Sequence, residues 1–430
     1  MASTSTPNAA AAAGAGRPDG SELSRLGRRE LLSLAARGAV AMAAATPLAA
    51  LGGCSSGQKS SSGGAGGQTL TVGLLAPLTG PVAPEGKAMR RGFDMAVAEV
   101  NAAGGVLGKP LEVVVEDDQG TPSVATTAAR KLLQRDRVDV VFGTITGDTT
   151  IAVKQLATQA KVPFLKAILD DYLHSPLCSR YFFKLGESDY QLLKPLAPFM
   201  VERFGRRVAL VGSDYSFPHS YNQTAKPLLS AAGAQVVAEE YAPLGTAEWS
   251  SVIGKLKGAR PDFVLSSVVG GDAIALLKQA QSLGLLKSSE ITGVSINQEF
   301  YPAVPTLMNG RWGTFRYSDQ LDNAANRKFV ADYRAKYSDD APIPSVTANS
   351  YVGVHLLAKA VGAAGGTDAD KIVAALAAVK LADTVYGPEE ISFDPGNQVL
   401  NTNIYLAQIA SGGKYTISKG AGVTADPTKC

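Results

Sequence analysis

Five short segments concentrate the side chains with chemistry to offer. They are Gly143-Thr144-Ile145-Thr146-Gly147-Asp148-Thr149, Lys166-Ala167-Ile168-Leu169-Asp170-Asp171, Gly212-Ser213-Asp214-Tyr215, Gly270-Gly271-Asp272, and Ser295-Ile296-Asn297-Gln298-Glu299. Each is rich in hydroxyl, glycine or acid residues, a mixture suited to holding a small polar solute by main-chain and hydroxyl hydrogen bonds. If the solute were an amino acid, Thr144, Thr146, Thr149 and the nearby N–H groups could donate to its carboxylate, and Asp170 or Glu299 could accept from its ammonium. Lys166 could instead recognise an anion. Ser295 and Asn297 bring a hydroxyl and an amide to the last segment. Gly270-Gly271 also reads as a tight strand-to-helix turn with Asp272 capping the helix that follows.

The elements that must position these segments are legible as an alternation of short β-branched runs with amphipathic helical stretches. That pattern belongs to parallel sheets with helices on both faces. Strands are expected over 70–75, 111–116, 138–142 and 163–165, with helices over 87–101, 122–134 and 149–159 between them. In the 87–101 stretch Phe93, Ala96, Val97 and Val100 make one apolar face, while Arg90, Arg91, Asp94 and Glu99 can stay wet. A second series repeats the logic, with helices over 189–203, 221–232, 249–257 and 272–283 and strands over 207–211, 235–241, 263–268 and 291–295. Helices over 324–337, 345–364 and 370–379 follow, and the strands 404–410 and 415–418 close as a hairpin around Ser411-Gly412-Gly413. The fold class read from this is α/β, with two consecutive doubly wound units. In open α/β sheets ligands gather at the carboxyl ends of strands, where helix N-termini present unpaired N–H groups, and the five segments stand at those ends.

The N-terminal region reads as an address. The pair Arg28-Arg29 precedes Leu31-Leu32 and an uncharged run over 38–51, which ends at Leu51-Gly52-Gly53-Cys54. The last four residues resemble a bacterial lipobox, which makes Cys54 the lipidated N-terminus, and the arginine pair resembles a twin-arginine export signal. A spanning helix needs ~20 apolar residues; this run has 14 and contains Pro47. Residues 1–53 are therefore read as an export signal and 54–68, nearly all Ser, Gly, Ala and Gln, as a flexible tether. A lipid on Cys54 would place the protein at the extracytoplasmic face of a membrane. Cys178 and Cys430 remain as a pair that could bridge in an oxidising compartment.

Net charge is only +3 and no basic cluster is interleaved with aromatics beyond the signal, so no nucleic-acid partner is expected. His174, His219 and His355 stand far apart without metal-ligand spacing, and no metal or cofactor is expected. The chain also lacks a Gly-x-Ser-x-Gly elbow, a Gly-x-Gly-x-x-Gly turn after a strand and a Walker Lys-Ser/Thr ending, so catalysis is not the expected task.

Most of residues 69–415 resembles the type I periplasmic solute-binding proteins of the branched-chain amino acid, amide and urea group. The resemblance rests on Val72-Gly73-Leu74-Leu75-Ala76-Pro77-Leu78-Thr79-Gly80, on Glu99-Val100-Asn101-Ala102-Ala103-Gly104-Gly105-Val106-Leu107-Gly108, and on Gly212-Ser213-Asp214-Tyr215-Ser216-Phe217-Pro218 with Asn222. The last run, with Ser266-Ser267-Val268-Val269-Gly270, is most similar to the amide and urea branch. The resemblance implies a ligand cleft between two lobes joined by a multi-strand hinge, with Tyr215 in the cleft. It implies lobe 1 over 69–188 plus about 319–390 and lobe 2 over 189–318 plus about 391–430. It implies a receptor that captures a small polar solute and delivers it to an ABC permease. The chain departs from the amide branch at Ile145 and Gly147, where a Tyr-x-Ser pattern is expected, and at 166–171, where an aromatic residue and a proline turn are expected. Two other readings stay open: a ligand sensor of the amide branch, against which Cys54 argues, and a secreted hydrolase without a recognised motif.

Overall fold

Two parallel sheets organise the molecule, and their strand orders explain where a ligand can sit. Residues 69–80, 82–168 and 179–426 are described by the computed structural model. Arg28, Arg29, Cys54, Asp170, His174, Cys178 and Cys430, with the signal and tether assigned to 1–68, lie outside the described residues.

The first series runs β1 (Thr71–Ala76), α1 (Ala83–Ala102), β2 (Glu112–Asp117), α2 (Pro122–Arg130), β3 (Val140–Gly143), α3 (Gly147–Ala160), β4 (Phe164–Lys166) and β5 (Phe182–Lys184). Its sheet has the order β2-β1-β3-β4-β5, with every pairing parallel. The second series runs α4 (Asp189–Phe204), β6 (Arg207–Ser213), α5 (Ser216–Ala231), β7 (Gln235–Ala242), α6 (Ser250–Ala259), β8 (Phe263–Ser266), α7 (Gly270–Ser282) and β9 (Glu290–Gly293). Its sheet, β7-β6-β8-β9, is parallel throughout as well. Both are doubly wound, and each reverses direction beside its first strand, the switch point at which a crevice opens above the carboxyl ends. These are the two lobes.

The remaining elements are α8 (Pro305–Met308), β10 (Trp312–Phe315), α9 (Ala324–Tyr337), α10 (Ser345–Ala364), α11 (Ala369–Ala378), β11 (Lys380–Leu381), β12 (Ile391–Phe393), β13 (Leu400–Ile409) and β14 (Tyr415–Thr424). The strands among them form an antiparallel sheet in the order β10-β13-β12-β11, with β14 pairing β13.

Alternation along the central strands sorts side chains between two cores. Leu74, Phe142, Leu165 and Phe183 face α1 and α10, whereas Leu75, Val141, Phe164 and Phe182 face α2 and α3. Ala209 and Val211 pack towards α6 and α7, Val208 and Leu210 towards α4 and α5. In α1 the buried stripe is Met89, Phe93, Ala96 and Val100, and Arg90 pairs outward with Asp94 at 3.2 Å. That helix lies so close to α10 that a Cβ on Gly92 would stand 1.9 Å from the Thr347 carbonyl oxygen.

Among the described residues the chain passes between the lobes three times. Residues 185–188 lead from β5 to α4, which packs on α5. Residues 316–323 lead from β10, which touches β9, to α9, whose Phe329 and Tyr333 enter the first lobe's core. The third passage is β13 itself: Leu400 packs with the first lobe, Leu406 and Ile409 with the second.

Several bounds shift, with α1 starting at Ala83, β13 at Leu400 and β14 running to Thr424, and two changes lie at the strand ends. Helix α5 starts at Ser216, not at 221, because Pro218 is accommodated within its first turn, where a missing N–H costs nothing. Asp272 does not cap α7. Val269 holds that position, and the Asp272 carboxylate accepts hydrogen bonds from Ser213 Oγ at 3.0 Å and the Gly245 N–H at 2.9 Å, tying the ends of β6 and β7 to the helix.

Candidate ligand-binding site

At the end of β3 the chain must turn sharply beneath β1. Gly143 has φ +137°, and a Cβ there would lie 1.9 Å from the Leu75 carbonyl oxygen. The turn delivers four threonines to the start of α3. Thr144 Oγ1 lies 2.6 Å from Thr150 Oγ1, and Thr150 and Thr149 each donate to the Thr146 carbonyl at 2.8 Å. Thr146 caps α3, its Oγ1 accepting from the Thr149 N–H at 3.4 Å and lying 2.9 Å from Thr149 Oγ1. Thr144 and Thr149 are fully buried and engaged within the turn, so they shape it. Half-buried Thr146 and Gly147 and exposed Asp148 are the parts of the turn that reach its surface.

Lys166 closes β4 in register with Lys184 at the end of β5, and both side chains are fully buried. Lys154, one helix away on α3, sets its Nζ 4.5 Å from the centre of the Phe182 ring. Burial pulls the Lys154 ammonium down to about 8, and the charges of Lys166 and Lys184 push in the same direction, so the three stand near one another. The tripeptides Phe164-Leu165-Lys166 and Phe182-Phe183-Lys184 are near repeats. That likeness was the signal by which Lys184 could have been found.

On the second lobe Tyr215 occupies the position just before α5, half-buried, with its ring 6.2 Å from that of Phe217. Its neighbour Asp214 pairs with His219 at 2.8 Å, and the His219 ring stacks on Tyr241 at 3.9 Å. Asn222 is buried deeper, donating to the Tyr241 hydroxyl at 3.0 Å and accepting from Ser267 Oγ at 3.3 Å. Ser295 is fully buried; its hydroxyl lies 2.6 Å from Ser266 Oγ and donates to the Val268 carbonyl, which locks the ends of β8 and β9 together. Asn297 begins a short turn by accepting from the Glu299 N–H at 3.0 Å.

Glu299 is where the lobes approach. Its side chain reaches solvent, yet its carboxyl is recessed among protein atoms, and this desolvation raises its pKa to about 7. The Ser345 N–H, at the start of α10 on the first lobe, opposes the shift; the charges of Glu85, in the first turn of α1, and of Glu187, between the lobes, reinforce it. Glu187 is itself buried, 3.8 Å from Arg316. Neither Glu85 nor Glu187 is at a strand end, so neither stood out by position. An N–H-rich helix start at Thr146 and ammonium groups beside β4 and β5 thus stand at the strand ends of the first sheet, an aromatic ring at Tyr215 stands at a strand end of the second, and the Glu299 carboxyl meets the Ser345 N–H. Asp170 lies outside the described residues. Among the described residues no group of three His, Cys, Asp or Glu side chains could hold a metal ion.

A family model described as periplasmic binding protein matches residues 69–414. A Leu/Ile/Val-binding protein homolog 7 of Brucella abortus is 28% identical over 347 residues, covering 76% of this chain and 86% of that protein. Among solved structures, an ABC transporter substrate-binding protein from Sphaerobacter thermophilus is 26% identical with a TM-score of 0.75, covering 84% of this chain and 99% of the other. A solute-binding protein of an ABC transporter from Rhodopseudomonas palustris, solved in complex with 3,4-dihydroxybenzoic acid, has the same identity, TM-score and coverage.

Proposed function

The chain belongs to the periplasmic binding protein family, and from that premise we propose that it is a lipid-anchored extracytoplasmic receptor that closes two lobes on a small polar solute and delivers it to an ABC permease. The observation that carries the reading is the family match over 69–414, which spans both parallel sheets and the carboxyl ends of their strands. The lobes read from the resemblance, 69–188 plus about 319–390 and 189–318 plus about 391–430, shift at their last boundary, because Ile391, Phe393 and Leu400 pack in the first lobe's core and the crossing lies within β13. Cys54 carries the lipid and 55–68 the slack between membrane and receptor.

The solute carries a carboxylate. Leucine, isoleucine and valine, in the name of the Brucella relative, share that group with the 3,4-dihydroxybenzoic acid of the Rhodopseudomonas structure, and urea and simple amides lack it. Lys166, Lys184 and Lys154 favour an anionic group near the ends of β4 and β5, and the N–H groups at the start of α3 add donors of the right polarity. Glu299 gives the second lobe a partner for an ammonium, and Tyr215 a flat face for an apolar side chain or ring.

The test is a thermal-shift titration of the protein from Ser55 onward, stripped of endogenous solute, against leucine, valine, glutamate, 4-hydroxybenzoate, 3,4-dihydroxybenzoate, acetamide and urea. A ligand at a hundredfold excess over its Kd adds about 2.7 kcal/mol to stability, enough for a clear shift. A saturable rise with at least one carboxylate and none with acetamide or urea is the expected result. A response to acetamide or urea alone would remove the carboxylate reading, and silence across the panel would remove the receptor reading for these solutes.

A further inference from the structure

Asn349 is buried to 1% exposure on α10, among Val346, Ala348, Val352 and Val354. An amide in such surroundings must find partners for both of its ends. Its Nδ2 donates to the Ala167 carbonyl at 2.8 Å and lies 3.4 Å from Glu187 Oε2, while its Oδ1 accepts from the Tyr386 hydroxyl at 2.6 Å. The need for this arrangement begins in β4. That strand ends at Lys166, whose carbonyl takes the Leu185 N–H at 2.7 Å and the Gly186 N–H at 3.4 Å. Ala167 is one residue beyond the ladder and fully buried, so an apolar side chain at position 349 would take away the amide donor that its carbonyl uses.

The partners of Asn349 lead on to the passages between the lobes. Tyr386, also buried, lies with its ring 5.7 Å from the Arg316 guanidinium. Arg316 has no exposed surface; it donates to the Leu185 carbonyl and, at 3.3 Å, to Gln191 Oε1. Gln191 completes a reciprocal cap with Ser188 at the start of α4 and donates through Nε2 to the Leu400 carbonyl at 3.2 Å. A continuous buried polar path thus joins the carbonyl beside Lys166 to 185–191, to Arg316 and to the start of β13, one point on each passage.

We propose that Asn349 is a positioning residue: it fixes the strand end that carries Lys166 to the lobe-crossing segment 185–191, so that the edge of the ligand cleft and the hinge move as one piece. The packing itself is independent of what the protein binds; only the consequence for affinity rests on the receptor reading.

Hydrogen–deuterium exchange on the protein from Ser55 onward tests the positioning, with Asn349→Leu removing both sets of bonds and Tyr386→Phe removing only the hydroxyl that orients the amide. Amides in 164–168 and 185–188 are expected to exchange about tenfold faster in Asn349→Leu, the population change that corresponds to one hydrogen bond's net contribution. A smaller rise in the same segments is expected in Tyr386→Phe, with β1 and β3 unchanged in both. Unchanged exchange at 185–188, or a rise spread evenly over every strand, overturns the proposal; if Asn349→Leu does not fold, Tyr386→Phe decides alone. A second arm titrates leucine and 4-hydroxybenzoate. For whichever binds the parent protein, Tyr386→Phe weakens binding several-fold at a temperature where the variant is fully folded, although the buried hydrogen bond it loses lowers its melting temperature, and equal affinity overturns the link to the cleft. If neither binds the parent protein, the receptor reading for these two solutes fails while the exchange result still decides the positioning.

Discussion

At the level of single residues, Glu299 gives the sharpest consequence. An ordinary glutamate ionises near 4.5, and here recession among protein atoms raises the value to about 7. The folded protein then holds the proton more tightly than the unfolded chain. Its contribution to stability is full below about 4.5, falls as pH rises through 7 and is level above that. Asp118, buried at the end of β2 and raised to about 6, acts in the same direction, so the comparison must be differential. We expect the melting temperature of Glu299→Gln to vary less between pH 4.5 and 7 than that of the parent protein; parallel curves would put Glu299 in an ordinary solvated setting. Tyr215 allows a different separation. It is half-buried and makes no side-chain cap to α5. Tyr215→Ala should therefore leave the melting temperature within a few degrees while lowering affinity for the solute found by thermal shift, and unfolding without selective loss of affinity would make it structural. Residue type and strand-end position made Thr146, Lys166 and Glu299 candidates, and the family resemblance made Tyr215 one. Asp272 was misread because its partners, Ser213 and the Gly245 N–H, come from other strands, and Asn349 was invisible because only packing reveals which helical amide faces an orphaned carbonyl.

At the level of elements, the contact between α1 and α10 is the tightest test of the first lobe. A methyl group on Gly92 would stand 1.9 Å from the Thr347 carbonyl oxygen, far inside any contact distance, and backbone on both sides prevents an easy escape. Overpacking of this kind costs about 1–3 kcal/mol, occasionally more. Gly92→Ala should lower the melting temperature despite the better helix propensity of alanine, and an unchanged or raised value would mean that the two helices can separate freely. The long helices were the most legible parts of the chain: α9 and α10 begin and end where apolar periodicity and their flanking residues place them. The three-residue strands β4, β5 and β12 and the two-residue β11 are too short to show a period of two, and only β4 was anticipated. What makes β5 a strand is its parallel neighbour β4, a relation between residues eighteen apart that no local window contains. The same holds for β10, which exists as a strand because β13 returns to pair with it.

At the level of the whole molecule, the folded body and its attachment are separable problems. The polar path through Asn349, Tyr386, Arg316 and Gln191 ties the three passages together inside the protein, so hinge geometry belongs to the body and not to the anchor. No helix among the described residues is long and apolar enough to cross a membrane. The attachment we propose lies ahead of the described residues, where the sequence offers one modifiable cysteine followed by a Ser/Gly stretch with nothing to bury. A lipid at that point would act as an anchor whose loss leaves every described contact intact, since lipid chains contribute through the bilayer and not through the fold. Cys54→Ser should therefore move the protein from the membrane fraction to the soluble fraction while its melting temperature and solute affinity stay those of the parent body. Persistence in the membrane fraction after alkaline washing would assign the attachment to an uncleaved apolar run over 38–51 instead, and loss of affinity on release would show that the receptor needs the membrane to close.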